Sequence, residues 1–251
     1  MTHGKPSPTK AFWFFVRCPM ITLYGTGPAF GLPHASPFAI KVEVLLKIAA
    51  LPYRLASADI RKAPRGKIPW IEDAGEVVAD SRLIKLHLET RHGADFSGGH
   101  GPRELGCGLA VERMLENHLY WFAVENRWLE PENFARGPVN FFKAAPGMLR
   151  PLIIRSVLKK TRRDVATQGQ NRLSAEEKLV LVGQALQAMA DILGDQPYLL
   201  GDRVSGADAT AFAFLATLES PHFDTPYGAA MRGHPGLMAY IGRIRAEFFP
   251  T

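Results

Sequence analysis

Gly66-Lys67-Ile68-Pro69-Trp70-Ile71-Glu72, closely followed by Val78-Ala79-Asp80-Ser81, is the part of the chain that decides the fold. The first stretch reads as a strand entered through a proline. The second reads as a strand running into a capped helix. An X-Pro bond at a strand start can be cis, because proline reduces the trans preference to about 0.5–1 kcal/mol. A cis bond there leaves the N–H and C=O of Ile68 facing outward, able to pair with an extended ligand. Asp80-Ser81 adds a hydroxyl and the unpaired N–H groups of a helix N-terminus, which suit a carboxylate. Together the two stretches describe a docking site for a small peptide with a free carboxyl group.

Upstream, the pattern alternates strand and helix. Ile21-Thr22-Leu23-Tyr24 is a short β-rich run, and a Gly/Pro-rich loop follows it from Gly25 to Ala35. Ser36-Pro37 then opens a helix as N-cap and first helical residue. Phe38, Val42, Leu45 and Ala49 lie on one face of that helix and Ile40, Val44 and Ile48 on a second, so it is expected to be covered on two sides. Tyr53-Arg54-Leu55 is the next strand, expected parallel to the first. Asp73-Ala74-Gly75 makes a hairpin turn between Trp70-Ile71-Glu72 and Glu76-Val77-Val78. The order is β-α-β-β-β-α, with an extra short helix if Ala58–Ala63 coils.

Beyond Pro102 only helical signals remain. Leu105–Trp128 forms one helix, and Ser174-Ala175-Glu176-Glu177 is a capping box. Ser205-Gly206-Ala207-Asp208 is a second cap, read as structural. The expected architecture is an α/β domain over residues 20–96, a glycine-rich linker over 97–101 and an all-helical domain over 102–251, preceded by a poorly ordered extension over 1–19. Ala11–Val16 in that extension is too short for a signal core and lacks a small-residue cleavage site. The uncharged run Cys18–Ile40 is broken by glycine and proline and is no membrane span.

With 251 residues, 47% hydrophobic and 22% charged, the chain is an ordinary globular one. Its two cysteines, Cys18 and Cys107, cannot build a disulfide framework, and no Cys/His run with metal spacing is present, so no metal is expected. A reducing, cytoplasmic setting follows. The net charge of +6 is uneven: Lys143–Arg172 alone carries +7. That segment is read either as a solvated helix face or as a contact for an anionic surface. No specific nucleic-acid partner is indicated.

The ordered set of motifs resembles the glutathione transferase superfamily, whose members join a thioredoxin-like N-terminal domain to an all-α C-terminal domain. It is nearest to the failed-axon-connections and metaxin-like branch and its bacterial relatives. The residues carrying the resemblance are Ser36-Pro37-Phe38 with Lys41-Val42-Glu43, then Ala63-Pro64-Arg65-Gly66-Lys67-Ile68-Pro69 and Ala79-Asp80-Ser81. Gln168-Gly169-Gln170-Asn171-Arg172-Leu173-Ser174, Leu200-Gly201-Asp202, Ala207-Asp208-Ala209 and Phe248-Phe249-Pro250 complete it.

The resemblance implies glutathione as co-substrate, a small electrophile as second substrate and a homodimer. It places Ile68 and Pro69 at the cysteinyl unit, Asp80 and Ser81 at the γ-glutamyl end and Lys67 at the glycyl carboxylate. Thiol chemistry requires the thiolate, which a hydroxyl donor and a helix N-terminus stabilise together. Ser36 offers both, and Tyr24 is the rival activator. His34 is expected to be a solvated loop residue. About ten residues separate Tyr24 from Ser36, a long connection that either shifts the cap or covers the site. Trp121, Phe122, Glu125 and Trp128 are the candidate walls of the electrophile pocket, with core packing as the competing explanation for the aromatic ones. A binding or scaffold protein that keeps the fold without turnover is the alternative function. It draws on the long loop and on Lys143–Arg172.

Overall fold

The computed structural model describes residues 20–250; the 1–19 extension and Cys18 lie outside the described residues. The N-terminal part contains β1 (Ile21–Gly25), α1 (Pro37–Ile48), β2 (Tyr53–Ser57), a 3-10 turn (Ile60–Lys62), β3 (Trp70–Asp73), β4 (Glu76–Ala79) and α2 (Ser81–His92). The four strands form one sheet in the order β2-β1-β3-β4. β1 runs parallel to β2 and antiparallel to β3, and β3 and β4 form an antiparallel hairpin. Ala74 (φ 50°) and Gly75 (φ 87°) form a two-residue turn with both residues left-handed, the geometry that matches strand twist. The short coil expected near Ala58–Ala63 is the 3-10 turn, with the Asp59 side chain accepting from the Arg61 N–H.

Ten helices occur among the described residues. The C-terminal ones are α3 (Pro102–Met114), α4 (Tyr120–Leu129), α5 (Pro131–Arg136), α6 (Arg150–Thr167), α7 (Ala175–Leu193), α8 (Gly206–Glu219), α9 (Pro226–Arg232) and α10 (Pro235–Phe248). α3 and α4 are one continuous rod joined by a π-helical turn at Leu115–Leu119, so the single helix expected over Leu105–Trp128 carries an inserted residue. Among the described residues no helix is long and apolar enough to cross a membrane.

α8 is the axis of the core. Every residue from Gly206 to Leu218 is buried, as expected of a helix apolar on all sides. Its N-terminus is fixed by Asp208, which is fully buried. Oδ2 of Asp208 accepts from the N–H and hydroxyl of Ser205, and Oδ1 accepts from the Leu199 N–H and the Tyr240 hydroxyl. α1 lies against α8 on one side and the sheet on the other, which is why Val42 and Leu45 of one apolar row and Ile40 and Val44 of the other are buried, with Phe38, Ile48 and Ala49 partly so. One core cluster runs without a break from Ile21 and Ile71 in the sheet to Ile244 in α10.

That contact surface also buries charge. The Lys41 ammonium, fully buried in α1, donates to Glu112 Oε2 and Glu116 Oε1, both at 2.7 Å. Arg113 lies 2.9 Å from Glu116, Lys85 3.7 Å from Glu112, and the Thr210 hydroxyl donates to Glu112. Burial alone would raise the Glu112 carboxyl. The adjacent Lys41 and Lys85 charges outweigh it and hold the group below the usual range.

Candidate functional site

Strand register brings the separated motifs to one end of the sheet. Tyr24 at the end of β1 pairs with Trp70 at the start of β3, and Trp70 pairs with Ala79 at the end of β4. The segment leading to Ser36 leaves β1 at this end, Ile68-Pro69 enters β3 here, and Asp80-Ser81 follows β4 here. In open α/β sheets ligands bind outside such strand ends, where helix N-termini converge.

Ser36 is the N-cap of α1 and half-buried, and its carbonyl accepts from the Ala39 and Ile40 N–H groups. Its hydroxyl makes no capping bond. Pro37 at the first helical position has no N–H to donate. The Ala39 N–H, which a capping hydroxyl would take, goes to the Ser36 carbonyl instead, so among the described residues the Ser36 hydroxyl is left free beside a helix N-terminus, where partial positive charge gathers. Tyr24 is differently engaged. Its hydroxyl donates to Glu72 Oε2 at 3.0 Å and its ring stacks on Trp70 at 4.7 Å. The hydrogen bond to Glu72 and partial burial push the phenol up from its ordinary value.

The Ile68–Pro69 bond is cis, and Pro69 is buried while Ile68 is half-buried. The N–H and C=O of Ile68 bond to no other backbone group among the described residues. Lys67 is exposed. Asp80, at φ 89° and ψ 124°, occupies a conformation that costs a non-glycine residue about 1–3 kcal/mol. Its carboxylate accepts the Arg82 N–H at 2.9 Å and both arms of the Arg82 guanidinium at 3.0 and 2.8 Å. Those bonds hold its pKa down at about 2. Ser81, first residue of α2, is 4% exposed.

The long loop before Ser36 is docked rather than loose. His34, expected in solvent, is fully buried. Its Nδ1 accepts the Gly27 N–H at 3.1 Å, so in the neutral ring Nε2 carries the proton, 3.0 Å from Glu43 Oε2. No local pattern marks a single histidine in a Gly/Pro-rich loop as buried; in the fold the ring packs so tightly on Gly25 that a Cβ there would fall 2.6 Å from it. Phe30 lies against Phe141, His222 and Phe223, and its carbonyl accepts from the Ser220 hydroxyl at 2.7 Å.

Arg127 was not anticipated. Its guanidinium, buried in the core of the domain interface, donates to the Ala35 carbonyl, one residue before Ser36, and to the Thr217 carbonyl in the last turn of α8, both at 3.1 Å. It lies over the Phe223 ring at 4.4 Å. No carboxylate pairs with it among the described residues, and burial pulls its pKa down to about 10. Two carbonyls, a helix C-terminus and aromatic faces hold the cation instead.

Of the four candidate wall residues, Phe122 is fully buried, with its ring against His118 and Tyr227. Glu125 accepts from Lys178 at 2.8 Å, tying α4 to α7. Trp121 lies edge-on to Tyr120, and Trp128 faces Phe134 and Phe141. Two voids of about 10 Å³ open between α4 and α8, one bordered by Pro37, Tyr120 and Phe214, the other by Arg127, Phe223 and Tyr227. Each has room for about one water. None of the four candidates borders either void.

A mixed four-stranded sheet with a cis-proline, joined to a helical domain, is the architecture of glutathione transferases. The family description "Glutathione S-transferase N-terminal domain" matches residues 37–133, and "Glutathione S-transferase, C-terminal domain" matches residues 182–244. The chain belongs to the glutathione transferase superfamily. It is 28% identical over 242 residues to the isoprene-epoxide–glutathione S-transferase of Rhodococcus sp. (strain AD45), an alignment covering 91% of this chain and 99% of that one. It is 29% identical to Failed axon connections of Drosophila melanogaster, covering 87% of this chain and 56% of that protein. Metaxin-2 of Mus musculus is 21% identical, over 84% of this chain and 81% of its own. Among solved structures, the β-etherase LigF from Sphingobium sp. strain SYK-6 superposes with a TM-score of 0.63 at 20% identity, over 92% of this chain and 98% of that one. The relatives named in the anticipated branch are thus present, and one of them is an enzyme by name.

Proposed function

We propose that the protein is a cytosolic glutathione transferase that binds glutathione at the strand ends and stabilises its thiolate for attack on a small electrophile. The observation that carries this reading is the Ser36 hydroxyl, which sits at the N-terminus of α1 and is not spent on capping it. In this reading Ser36 donates to the sulfur, and the α1 N-terminus adds favourable charge. The open backbone of Ile68 pairs with the cysteinyl unit. Ser81 and the start of α2 receive the γ-glutamyl carboxylate, with Asp80 toward the ammonium and Lys67 toward the glycyl carboxylate. Tyr24 is a weaker activator, since its proton is committed to Glu72. In the transfer step the sulfur forms a bond to an electrophilic carbon, whose leaving group or opened ring takes the electron pair. The named activity of the Rhodococcus relative, which aligns over 91% of this chain, supports the reaction class.

Calorimetric titration with glutathione and S-hexylglutathione tests the reading. Wild type is expected to bind both. Ser81→Ala is expected to weaken glutathione about tenfold, the worth of one hydrogen bond to a charged group. Ser36→Ala is expected to lose turnover about 10–100-fold with little change in affinity. Absence of binding to either ligand would reject the assignment.

A second reading, a scaffold that contacts anionic membrane surfaces, is favoured by α6. Val165 is the one buried residue of this 18-residue helix. Met148, Leu149 and Leu152 are exposed at its start, and Lys159, Lys160, Arg162 and Arg163 follow. An apolar end beside a basic run suits an interfacial helix. Vesicle binding that weakens with salt and on neutralising those four residues supports it; binding indifferent to both rejects it.

A further inference from the structure

At the opposite end of the sheet from Ser36 and Ser81, three side chains converge that are scattered in sequence. Asp73 ends β3 at the hairpin turn, and α2 runs back along the sheet to bring His87 and His92 to it. His87 Nε2 lies 2.8 Å and His92 Nε2 2.6 Å from the same oxygen, Asp73 Oδ2. All three ligand atoms lie within 4.8 Å of one another. We propose that Asp73, His87 and His92 form a binding site for a divalent cation of the zinc class.

The chemistry of the donors favours this ion class. Two imidazole nitrogens and one carboxylate suit Zn²⁺ and its first-row neighbours; Mg²⁺ and Ca²⁺ prefer all-oxygen sets. The carboxylate is also unevenly used. Both histidines crowd onto Oδ2, while Oδ1 is buried with no hydrogen-bond partner. In a side chain only 5% exposed, an orphaned carboxylate oxygen is costly, and a cation at the group relieves that cost. The change in geometry is small. Ligand atoms about 2.1 Å from a tetrahedral ion stand about 3.4 Å apart. The two histidine–carboxylate spacings therefore need to open by roughly 0.6–0.8 Å, and the two histidine nitrogens, already within 4.8 Å of each other, adjust by side-chain rotation.

The surroundings supply the usual support. A metal-bound Nε2 requires the proton on Nδ1, and Glu76 Oε1, 3.9 Å from His87 Nδ1 and beyond hydrogen-bond reach as it stands, becomes its acceptor after a small swing of the exposed Glu76 side chain. On binding, the Nε2 proton of each neutral ring moves to Nδ1, and the carboxylate exchanges two hydrogen bonds for the cation. His92 lies in the last turn of α2 and its side chain is 13% exposed, which gives the ion a path in and leaves solvent to complete its shell. Asp73 and His87 are packed on a strand end and a helix, so two of the three ligands are rigidly placed.

The test is titration of metal-stripped, tag-free protein with Zn²⁺ by calorimetry, with Co²⁺ absorption as a second reading. One equivalent is expected to bind with a micromolar or tighter Kd and to raise Tm. Asp73→Asn and His92→Gln are each expected to weaken it at least 30-fold. Glu76→Gln should weaken it about tenfold, and Ser36→Ala not at all. His92→Gln, at a partly exposed helix end, keeps the test alive if Asp73→Asn does not fold. Absence of a saturable single equivalent overturns the site, as does binding that is unchanged in His92→Gln. Either result is independent of whether glutathione binds.

Discussion

Lys41→Met removes an ammonium that bridges two carboxylates, Glu112 and Glu116, across the interface of the sheet domain and the helical domain. Methionine keeps much of the stem volume, so the change reports charge more than packing. Deleting one partner of a buried ion pair costs about 3–5 kcal/mol. Arg113 remains 2.9 Å from Glu116 and Lys85 remains 3.7 Å from Glu112, which places the expected loss at the lower end, about 3 kcal/mol. In urea that moves the midpoint down by about 1–3 M. The loss should also depend on pH. Without Lys41, the buried Glu112 carboxyl faces Glu116 in the folded state, and burial with like charge then raises its pKa above the unfolded value near 4.3. A carboxyl whose folded pKa is raised destabilises above that pKa, and the penalty fades as pH falls through it. In wild type the sign is opposite: Glu112 is held below the usual range, so its contribution is present at neutral pH and lost on acidification. The gap between the two proteins should therefore narrow from pH 7.5 to pH 5. Adding Glu112→Gln and Glu116→Leu to Lys41→Met should recover part of the loss, because no unpaired carboxylate then remains. A gap under 1 kcal/mol at pH 7.5, or one equal at both pH values, would refute the reasoning.

Gly25→Ala places a Cβ 2.6 Å from the His34 ring, and the packed ring cannot move aside cheaply. Stability should fall by about 1–3 kcal/mol, the usual range for overpacking, and thermal unfolding checks it. Acid should unfold the wild type in a window set by lowered carboxyls. Burial raises the Glu43 carboxyl, yet bonds from His34 and Tyr53 outweigh it, and in Asp73 those from His92 and His87 do the same. Their stabilisation is whole above about pH 5 and disappears below the usual carboxylate range, so a circular-dichroism acid titration that begins to unfold near neutrality would contradict it. Tyr24→Phe should leave glutathione turnover within about threefold of wild type, because its hydroxyl serves Glu72; a loss as large as that of Ser36→Ala would transfer the activating role to Tyr24.

The sheet domain was legible from sequence because its signals are local. Ser36-Pro37, Gly75, the Asp80-Ser81 cap and Gly93 each fix one backbone boundary, and each boundary stands where its residue type places it. The capping boxes at Ser174 and Ser205 were readable for the same reason. What was hidden depends on pairing between distant residues. Lys41 reads as one more helix lysine until Glu112 and Glu116 arrive from another helix. His34, Arg127 and the Asp73, His87 and His92 group were invisible for that reason too: an aspartate on a strand end and two histidines on a later helix follow no local spacing rule. The π-helical turn at Leu115–Leu119 leaves the apolar pattern continuous and escapes a periodicity reading.

The lengthened loop before α1 has a consequence for how this fold can diversify. An inserted loop usually adds a surface flap that a chain can lose or exchange freely. Here Phe30 lies against Phe223 and Phe141, Ser220 holds the Phe30 carbonyl, and Arg127 holds Ala35. The loop thus works as a clasp between the two halves of the molecule. Grafting this N-terminal half onto the helical half of a shorter-looped relative would leave Phe30 without a socket and the receiving arginine, if present, without its carbonyl. Viable chimeras must carry the loop, Arg127, Ser220 and Phe223 as one inherited unit.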